Sequence, residues 1–161
     1  MNFNLHEKNN YVDKLIQKES PGKVDLEVGG SSLHLMRNYL DQRGALSVGE
    51  FPKDLPFKPK RYFIVYDVPE IHKRGEHAHK ICKQFLLCIK GSCKVLLDDG
   101  LNKISLKLSR QDIGIYIPEM IWGCQYEYSS DAILLVFASE LYDTEEYIRD
   151  YEEFKKVIKT L

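Results

Sequence analysis

The sequence predicts an all-β domain, a sandwich or barrel, followed by a single C-terminal α-helix. Between residues 33 and 138 the chain is a succession of short segments rich in β-branched and aromatic residues, separated by turn residues. Many short strands at even spacing are typical of a sandwich or barrel. After residue 143 the apolar residues recur at helical spacing, which indicates a change from strand to helix.

The strand predictions follow these segments in order, and two of the turns between them are specific. Gly91 lies in a Lys-Gly-Ser turn that can close a tight hairpin, and Gly100 follows two aspartates and suits a positive φ. The predicted strands span residues 33–40, 46–50, 61–67, 77–79, 85–89, 93–97, 104–108, 114–117, 122–128 and 132–138.

The chain of 161 residues is long enough for one domain with a core of ordinary size. We interpret residues 1–32 as an N-terminal arm. A short helical pattern over residues 11–18 is followed there by a Pro-Gly pair and then by a Gly-Gly-Ser-Ser break. The predicted domain therefore spans residues 33–161.

The predicted C-terminal helix has an apolar stripe and an N-terminal capping box. The stripe consists of Tyr147, Tyr151, Phe154 and Ile158. Asp143 is the predicted cap residue, and Glu146 follows it at the capping-box spacing. Such a stripe predicts packing against the barrel or against a partner subunit.

The balance of charge argues against two classes of partner. Lys and Arg number 23 against 24 acidic residues, which gives a net charge of −1. We therefore expect no nucleic-acid partner and no membrane-surface partner. No run approaches the roughly 18 apolar residues of a membrane span, and the first residues lack the pattern of a signal peptide.

The cysteines also predict a cytoplasmic protein. They form no C-x-x-C pair, and most lie inside apolar, strand-like segments. We expect them to be buried, reduced packing residues. They are Cys82, Cys88, Cys93 and Cys124.

The most informative segment is residues 74–79, Arg-Gly-Glu-His-Ala-His, followed by Gln84. Its spacing is similar to the metal motif of cupins, except that Gln84 stands where the motif has a glutamate. The second half of the motif, around residues 114–123, contains no histidine. Two imidazoles without a carboxylate make a poor metal site. We therefore expect no metal, and a histidine pair that is free to transfer protons.

Strand alternation indicates which side chains share a face. His77 and His79 are two residues apart and point to the same side, and so do Tyr62, Ile64 and Tyr66 on another strand. A tyrosine at the barrel mouth could orient a substrate or shuttle a proton. The plainer alternative is that a single histidine or tyrosine in a strand is only a packing residue.

Three arginines are candidates for binding phosphate groups. Arg61, Arg74 and Arg149 offer the planar donor pairs that suit phosphates, although each is individually more often a solvated surface charge.

Several blocks of the chain resemble the sugar 3,4-ketoisomerase family, the WxcM-like cupins. They lie at residues 41–46, 55–63, 74–80, 91–100, 130–139 and 147–151, and the resemblance covers roughly residues 41–158. It implies a cupin-type double-stranded β-helix, or jelly roll, that works without metal or other cofactor. It also implies a homodimer with exchanged N-terminal strands.

The same resemblance implies an activity. The family converts dTDP-4-keto-6-deoxyglucose to its 3-keto isomer, a step toward aminodeoxy sugars of surface glycans such as the O-antigen of lipopolysaccharide. By this resemblance His79 is the base, His77 its companion and Tyr66 a further catalytic group. We predict that the substrate-binding residues are Arg61, Arg74, Gln84, Trp122, Gly123 and Arg149.

The chain departs from the family at Gly123. The ketoisomerases place His or Arg there, a residue tied to the configuration at C4 of the product. Two alternatives to a ketoisomerase therefore stay open. They are an epimerase of a related nucleotide-sugar and a non-catalytic domain that binds a nucleotide-sugar.

Overall fold

The structure, a computed structural model, describes residues 10–160. Its elements, in chain order, are α1 (Asn10–Ile16), β1 (Gly22–Asp25), β2 (Ser32–Leu35), β3 (Arg37–Asp41), β4 (Gly44–Val48), β5 (Arg61–Tyr66), β6 (Arg74–His79), β7 (Gln84–Lys90), β8 (Cys93–Asp98), β9 (Lys103–Leu108), β10 (Ile113–Ile117), β11 (Trp122–Tyr126), β12 (Ile133–Ala138), a 3₁₀ turn (Thr144–Glu146), β13 (Tyr147–Ile148) and α2 (Tyr151–Ile158). The predicted all-β domain with a C-terminal helix is confirmed.

Two antiparallel sheets supply the core. One has the strand order β1-β2-β10-β7-β12-β5, and the other has the order β13-β6-β11-β8-β9. Burial alternates along β9 and β12, as expected for strands with one face toward a core. Leu33 and Leu134 of the first sheet and Val95 and Leu97 of the second, all fully buried, belong to the same core cluster.

The segment before residue 33 joins this core. β1 pairs with β2 along its whole length, and Leu15, Leu26 and Val28 are buried in the main cluster. The helical pattern predicted over residues 11–18 corresponds to α1. A domain boundary at residue 33 stays a prediction, and part of the arm contributes to the sheet.

The segment predicted as one strand over residues 33–40 is two strands. β2 ends at Leu35, and the N–H of buried Met36 donates to the carbonyl of Asp112 at 2.7 Å. From Arg37 the chain continues as β3, which within residues 10–160 pairs only with β4, in a separate two-stranded sheet. Exposed apolar side chains cover this hairpin, among them Leu40, which is 82% exposed.

The predicted helix start was wrong. Asp143 caps only the short 3₁₀ turn by accepting from Glu145 N, and β13 then pairs with β6. The helix begins at Tyr151, where Asp150 is the cap and accepts from Glu153 N. Local spacing could not reveal this, because the extended pairing of β13 with a distant strand replaces the first helical turns.

Smaller predictions about local chemistry are confirmed. Gly91 and Gly100 have φ values of 64° and 89°, and the four cysteines are buried and free. Within residues 10–160, no helix has the length and apolar character needed to cross a membrane.

Candidate active site

A bulge in β6 sets the direction of the site residues. His77 pairs with Gly123, but Gly75 pairs with Cys124, so Glu76 is an extra residue without a counterpart on β11. Gly75 and Glu76 both have positive φ, 83° and 55°. The extra residue lets Arg74 and His77 line the same cavity although they are three positions apart, a spacing that would separate them in a regular strand.

His77, His79 and Glu146 form a hydrogen-bonded chain at this site. The Nε2 atoms of His77 and His79 are 3.2 Å apart, and His79 Nδ1 lies 2.7 Å from Glu146 Oε2. A carboxylate only accepts, so the proton of His79 belongs on Nδ1 and its Nε2 carries the lone pair. Gln84, whose Nε2 is 3.1 Å from His79 Nε2, contacts the same nitrogen from the facing sheet.

Burial and hydrogen bonding decide the protonation states of His77, His79 and Glu146. It lowers the pKa of His77 to about 4, with the neighbouring His79 as a second cause. Burial also lowers the pKa of His79, against the opposing effect of Glu146. The pKa of Glu146 lies below its usual value, because the N–H groups of Ile81 and Cys82 and the His79 hydrogen bond outweigh the effect of burial. Near pH 7 the site therefore holds neutral imidazoles beside an ionised carboxylate.

A cavity of about 500 Å³ opens beside these hydrogen-bonded side chains. Its walls come from β5, β6, β7, β11, β12 and β13, so both sheets contribute. The lining residues are Phe63, Ile64, Val65, Tyr66, Arg74, Gly75, His77, Gln84, Leu86, Gln125, Val136 and Tyr147. Of the residues predicted from sequence, Tyr66, Arg74, His77 and Gln84 meet here.

His79 lies beside a smaller space. It lines a gap of about 10 Å³ together with His77, Gln84 and Gly123, whereas His77 lines both this gap and the larger cavity. His77 Nδ1 is buried and has no hydrogen-bond partner within the described part of the chain.

Tyr147 covers the imidazole pair. Its ring centroid lies 4.9 Å from that of His77 and 4.5 Å from that of His79. Arg61 donates to Tyr147 Oη at 3.3 Å, and the Arg149 guanidinium carbon lies 4.2 Å from the Tyr147 ring centroid. These two predicted arginines therefore surround Tyr147 and are not among the lining residues of the larger cavity.

Trp122 lies away from the cavity. Its ring packs 5.1 Å from Tyr151 and 5.7 Å from Phe154, within the cluster that attaches α2 to the sheet. This placement gives no support to its predicted role in substrate binding. The next residue, Gly123, does line the smaller gap.

Sequence reasoning missed three residues of the site. Glu146 was assigned to a capping box and Tyr147 to a helical stripe, whereas pairing of β13 with β6 brings both to His79. Gln125 was not considered, although it lies two positions after Gly123 on β11 and so shares its face.

One group of side chains has the composition of a metal site. His79 Nδ1, Cys82 Sγ and a carboxylate oxygen of Glu146 lie within 4.8 Å of one another. The Glu146 oxygens already accept from Ile81 N, Cys82 N and His79 Nδ1, at 2.6–2.8 Å. Since a structural zinc site uses four ligands, this hydrogen-bonded triplet does not fit one.

The two-sheet fold and the imidazole pair between its sheets define a cupin-type protein, as the sequence predicted. Residues 29–159 match the family model described as FdtA: WxcM-like, C-terminal. The chain belongs to this family.

Three similar proteins carry related names. The chain is 39% identical over 122 residues to the TDP-4-oxo-6-deoxy-alpha-D-glucose-3,4-oxoisomerase of Aneurinibacillus thermoaerophilus, covering 76% of this chain and 88% of the relative. A 3,4-ketoisomerase structure from Helicobacter canadensis is 39% identical with a TM-score of 0.78, covering 80% of this chain and 97% of that one.

The third is a histidine-to-asparagine variant of the 3,4-ketoisomerase from Thermoanaerobacterium thermosaccharolyticum, solved in complex with TDP-4-keto-6-deoxyglucose. It is 30% identical with a TM-score of 0.80, covering 83% of this chain and 96% of that one. The jelly-roll prediction is confirmed by these structures.

Proposed function

We propose that this protein is a metal-independent 3,4-ketoisomerase that interconverts the 4-keto and 3-keto forms of a dTDP-linked 6-deoxyhexose. The observation that carries the proposal is the row of hydrogen-bonded side chains from Glu146 through His79 to His77, beside a cavity between the sheets. The names of the relatives, TDP-sugar oxoisomerase and 3,4-ketoisomerase, support the same reaction. We further propose a role in making deoxyaminosugars for surface glycans.

The reaction needs one base that can also act as an acid. The base takes the proton from C3, the C3–H electrons form the C3–C4 double bond, and the C4 carbonyl oxygen becomes the enediolate oxygen. A proton then returns to C4 as the double-bond electrons form the new C4–H bond, and the proton of the C3 hydroxyl passes to the C4 oxygen, so that C3 becomes the ketone and C4 carries the hydroxyl. We assign the base to His79, whose Nε2 lone pair is fixed by the Glu146 hydrogen bond.

The negative charge of Glu146 supports this assignment. It lies 2.7 Å from His79 Nδ1 and stabilises the imidazolium that forms when Nε2 takes a proton. His77 is the companion residue, and it lines the larger cavity. Tyr66, on the cavity wall, is the next candidate for moving a proton.

The remaining polar groups suit the charged parts of the substrate. Arg74 and Gln84 on the cavity wall are assigned to the diphosphate and the sugar oxygens. Arg61 and Arg149 lie next to Tyr147 at the edge of the site and are assigned to the nucleotide diphosphate. Contacts from Trp122 and Gly123 stay predictions.

We test the function in deuterated water with dTDP-4-keto-6-deoxyglucose as substrate. NMR of the sugar carbons should show the 3-keto isomer with deuterium at the exchanged carbon. Deuterium incorporation that yields a 4-keto epimer, and no 3-keto isomer, would instead indicate an epimerase. Saturable binding without exchange would indicate a nucleotide-sugar binding domain.

Metal independence is tested in the same assay. After exhaustive chelation the rate of isomerisation should be unchanged, and elemental analysis should find less than one equivalent of metal per chain. The proposal would be contradicted if chelation abolished activity and added zinc, iron or manganese restored it.

We also propose a homodimer. In the described chain β5 is one of the two edge strands of its sheet, and Tyr62, Ile64 and Tyr66 on it are exposed. An uncovered apolar edge strand is a surface that proteins usually pair or cover. The exposed apolar hairpin β3–β4 is a second such surface. Sedimentation velocity should give the mass of two chains, and a single-chain mass at micromolar concentration would contradict it.

A cytoplasmic location remains a prediction. Four buried, free thiols support a reducing compartment.

A further inference from the structure

We infer that Gln125 is a substrate-binding residue, whose carboxamide hydrogen-bonds to the adjacent keto and hydroxyl oxygens of the sugar. The inference rests on the proposed function and names a contact that neither the sequence motifs nor the proposed mechanism includes. Its support lies in three features of β11.

The first feature is position. Gln125 is half-buried and lines both the cavity of about 500 Å³ and the smaller gap beside His79. Its Oε1 lies 3.0 Å from the point that a Cβ on Gly75 would occupy, so the carboxamide packs over the bulge that directs His77. The amide therefore stands in the same wall as the imidazole pair.

The second feature is hydrogen bonding. Among residues 10–160, the Gln125 carboxamide has no hydrogen-bond partner, whereas the other cavity glutamine, Gln84, is bonded to His79. A carboxamide offers an N–H donor and a carbonyl acceptor side by side. An α-hydroxyketone offers the complementary pair, a carbonyl acceptor next to a hydroxyl donor. This is the part of the sugar on which the reaction takes place.

The third feature is the space beside Gly123. A Cβ added to Gly123 would have only Gln125 Nε2 nearby, at 3.8 Å, and its φ is not positive. The backbone therefore does not require glycine here, in contrast to Gly75. The missing side chain leaves the Nε2 end of Gln125 uncovered, so glycine at this position and the amide at 125 act together.

The contact is tested by binding, in a His79→Asn background so that the keto sugar is not consumed. Isothermal titration compares dTDP with dTDP-4-keto-6-deoxyglucose. Gln125→Met keeps the length of the side chain and removes both hydrogen-bonding groups. We expect the affinity for the keto sugar to fall by about tenfold, the size of one good hydrogen bond. The affinity for dTDP should stay within about twofold, since its contacts lie elsewhere.

Gln111→Met is the matched control, because Gln111 is exposed and does not line the cavity. It should change neither affinity. Equal losses for both ligands in Gln125→Met, or no loss for either, would overturn the inference. Thermal unfolding of each variant checks that the fold is retained, and rescue of sugar affinity by Gln125→Asn or Gln125→His would add support.

The outcomes separate this inference from the proposed function. If the wild-type protein forms no 3-keto product but Gln125→Met selectively loses the keto sugar, Gln125 binds the sugar and the isomerase assignment is wrong. If the wild-type protein isomerises the substrate and Gln125→Met does not change the affinity for the keto sugar, the isomerase assignment holds and the role of Gln125 is wrong. If neither the wild-type protein nor the His79→Asn parent binds either ligand, both are overturned.

Discussion

At the scale of single residues, the site depends on which nitrogen of His79 carries the proton. Glu146 is itself held by two backbone N–H groups, so its Oε2 is fixed beside His79 Nδ1. That contact leaves the Nε2 lone pair on the side of His77 and Gln84. The two imidazoles are both neutral near pH 7. They differ in their partners, because only His79 is hydrogen-bonded to a carboxylate.

Replacing His79 by Asn should lower turnover by roughly 10²–10⁴, the contribution of a positioned base. Asparagine keeps a hydrogen-bonding group of similar size but cannot take up a proton. His77→Asn should cost less activity, and neither variant should change the affinity for dTDP much. The measurement is exchange of the substrate ring proton with solvent deuterium. If His79→Asn exchanges at the wild-type rate, the base lies elsewhere and Tyr66 is tested next.

Replacing Glu146 by Gln should reverse the tautomer of His79. The amide can donate to Nδ1, which places the imidazole proton on Nε2 and removes the lone pair of the base. We expect kcat to fall by at least about tenfold. Because the carboxylate raises the pKa of His79, its loss should also move the acid limb of the kcat/KM profile to lower pH.

Glu145→Gln is the control for this change, since the side chain of Glu145 is exposed. It should leave both kcat and the acid limb in place. An unshifted acid limb in Glu146→Gln would mean that Glu146 supports the fold without acting on His79.

At the scale of elements, the bulge in β6 connects backbone conformation to chemistry. Gly75 has φ of 83°, and a Cβ there would lie 2.8 Å from the carbonyl oxygen of Gly123. A side chain at this point must therefore displace β11 or the bulge itself. Either movement would shift His77 relative to Gln125.

Gly75→Ala should destabilise the protein by about 1–3 kcal/mol. Gly44→Ala is the matched control, because Gly44 also has a positive φ, 122°, but nothing lies within 4 Å of its added Cβ. Urea unfolding of both variants separates backbone strain from the collision with β11. Equal losses of stability in the two variants would show that backbone strain alone accounts for the destabilisation. We also expect Gly75→Ala to lose activity and Gly44→Ala to retain it.

The same elements show what the sequence could and could not predict. Strands such as β5, β8 and β9 were predicted closely, because their composition and turns are local properties. The shared face of His77 and His79 followed from alternation. The bulge at Glu76 and the β6–β13 pairing did not, since both depend on residues far away in the chain. For that reason Glu146 and Tyr147 were assigned to a helix that begins only at Tyr151.

At the scale of the whole molecule, the two histidines whose pKa is lowered to about 4 occupy different parts of the fold. His77 stands at the cavity, whereas His34 of β2 is packed among Phe85 and Tyr116 and hydrogen-bonded to Ser32 at 2.9 Å. Burial lowers the pKa of His34 to about 4, and nearby Lys23 adds to the effect. Neither imidazole can be protonated in the native state without a loss of stability.

Stability should therefore fall as the pH drops from about 6.5 toward 4. In this range the unfolded chain, with ordinary histidines, binds more protons than the native protein, so the free energy of unfolding decreases as the pH is lowered. The stabilisation from the shifted groups is fully present above about pH 6.5 and is lost on approaching their native pKa of about 4. For each such histidine the loss between pH 7 and pH 5 is at most about 2 kcal/mol.

Urea unfolding of the wild-type protein and of His34→Gln, at pH 7.5, 6.0 and 5.0, measures this dependence. Glutamine keeps a group that can bond to Ser32 but does not titrate, so the variant should lose stability less steeply with falling pH, whatever its stability at pH 7.5. His72→Gln is the control, because His72 is exposed, and its slope should equal that of the wild type. If His34→Gln keeps the wild-type slope, protonation of His34 does not limit acid stability, and the prediction is wrong.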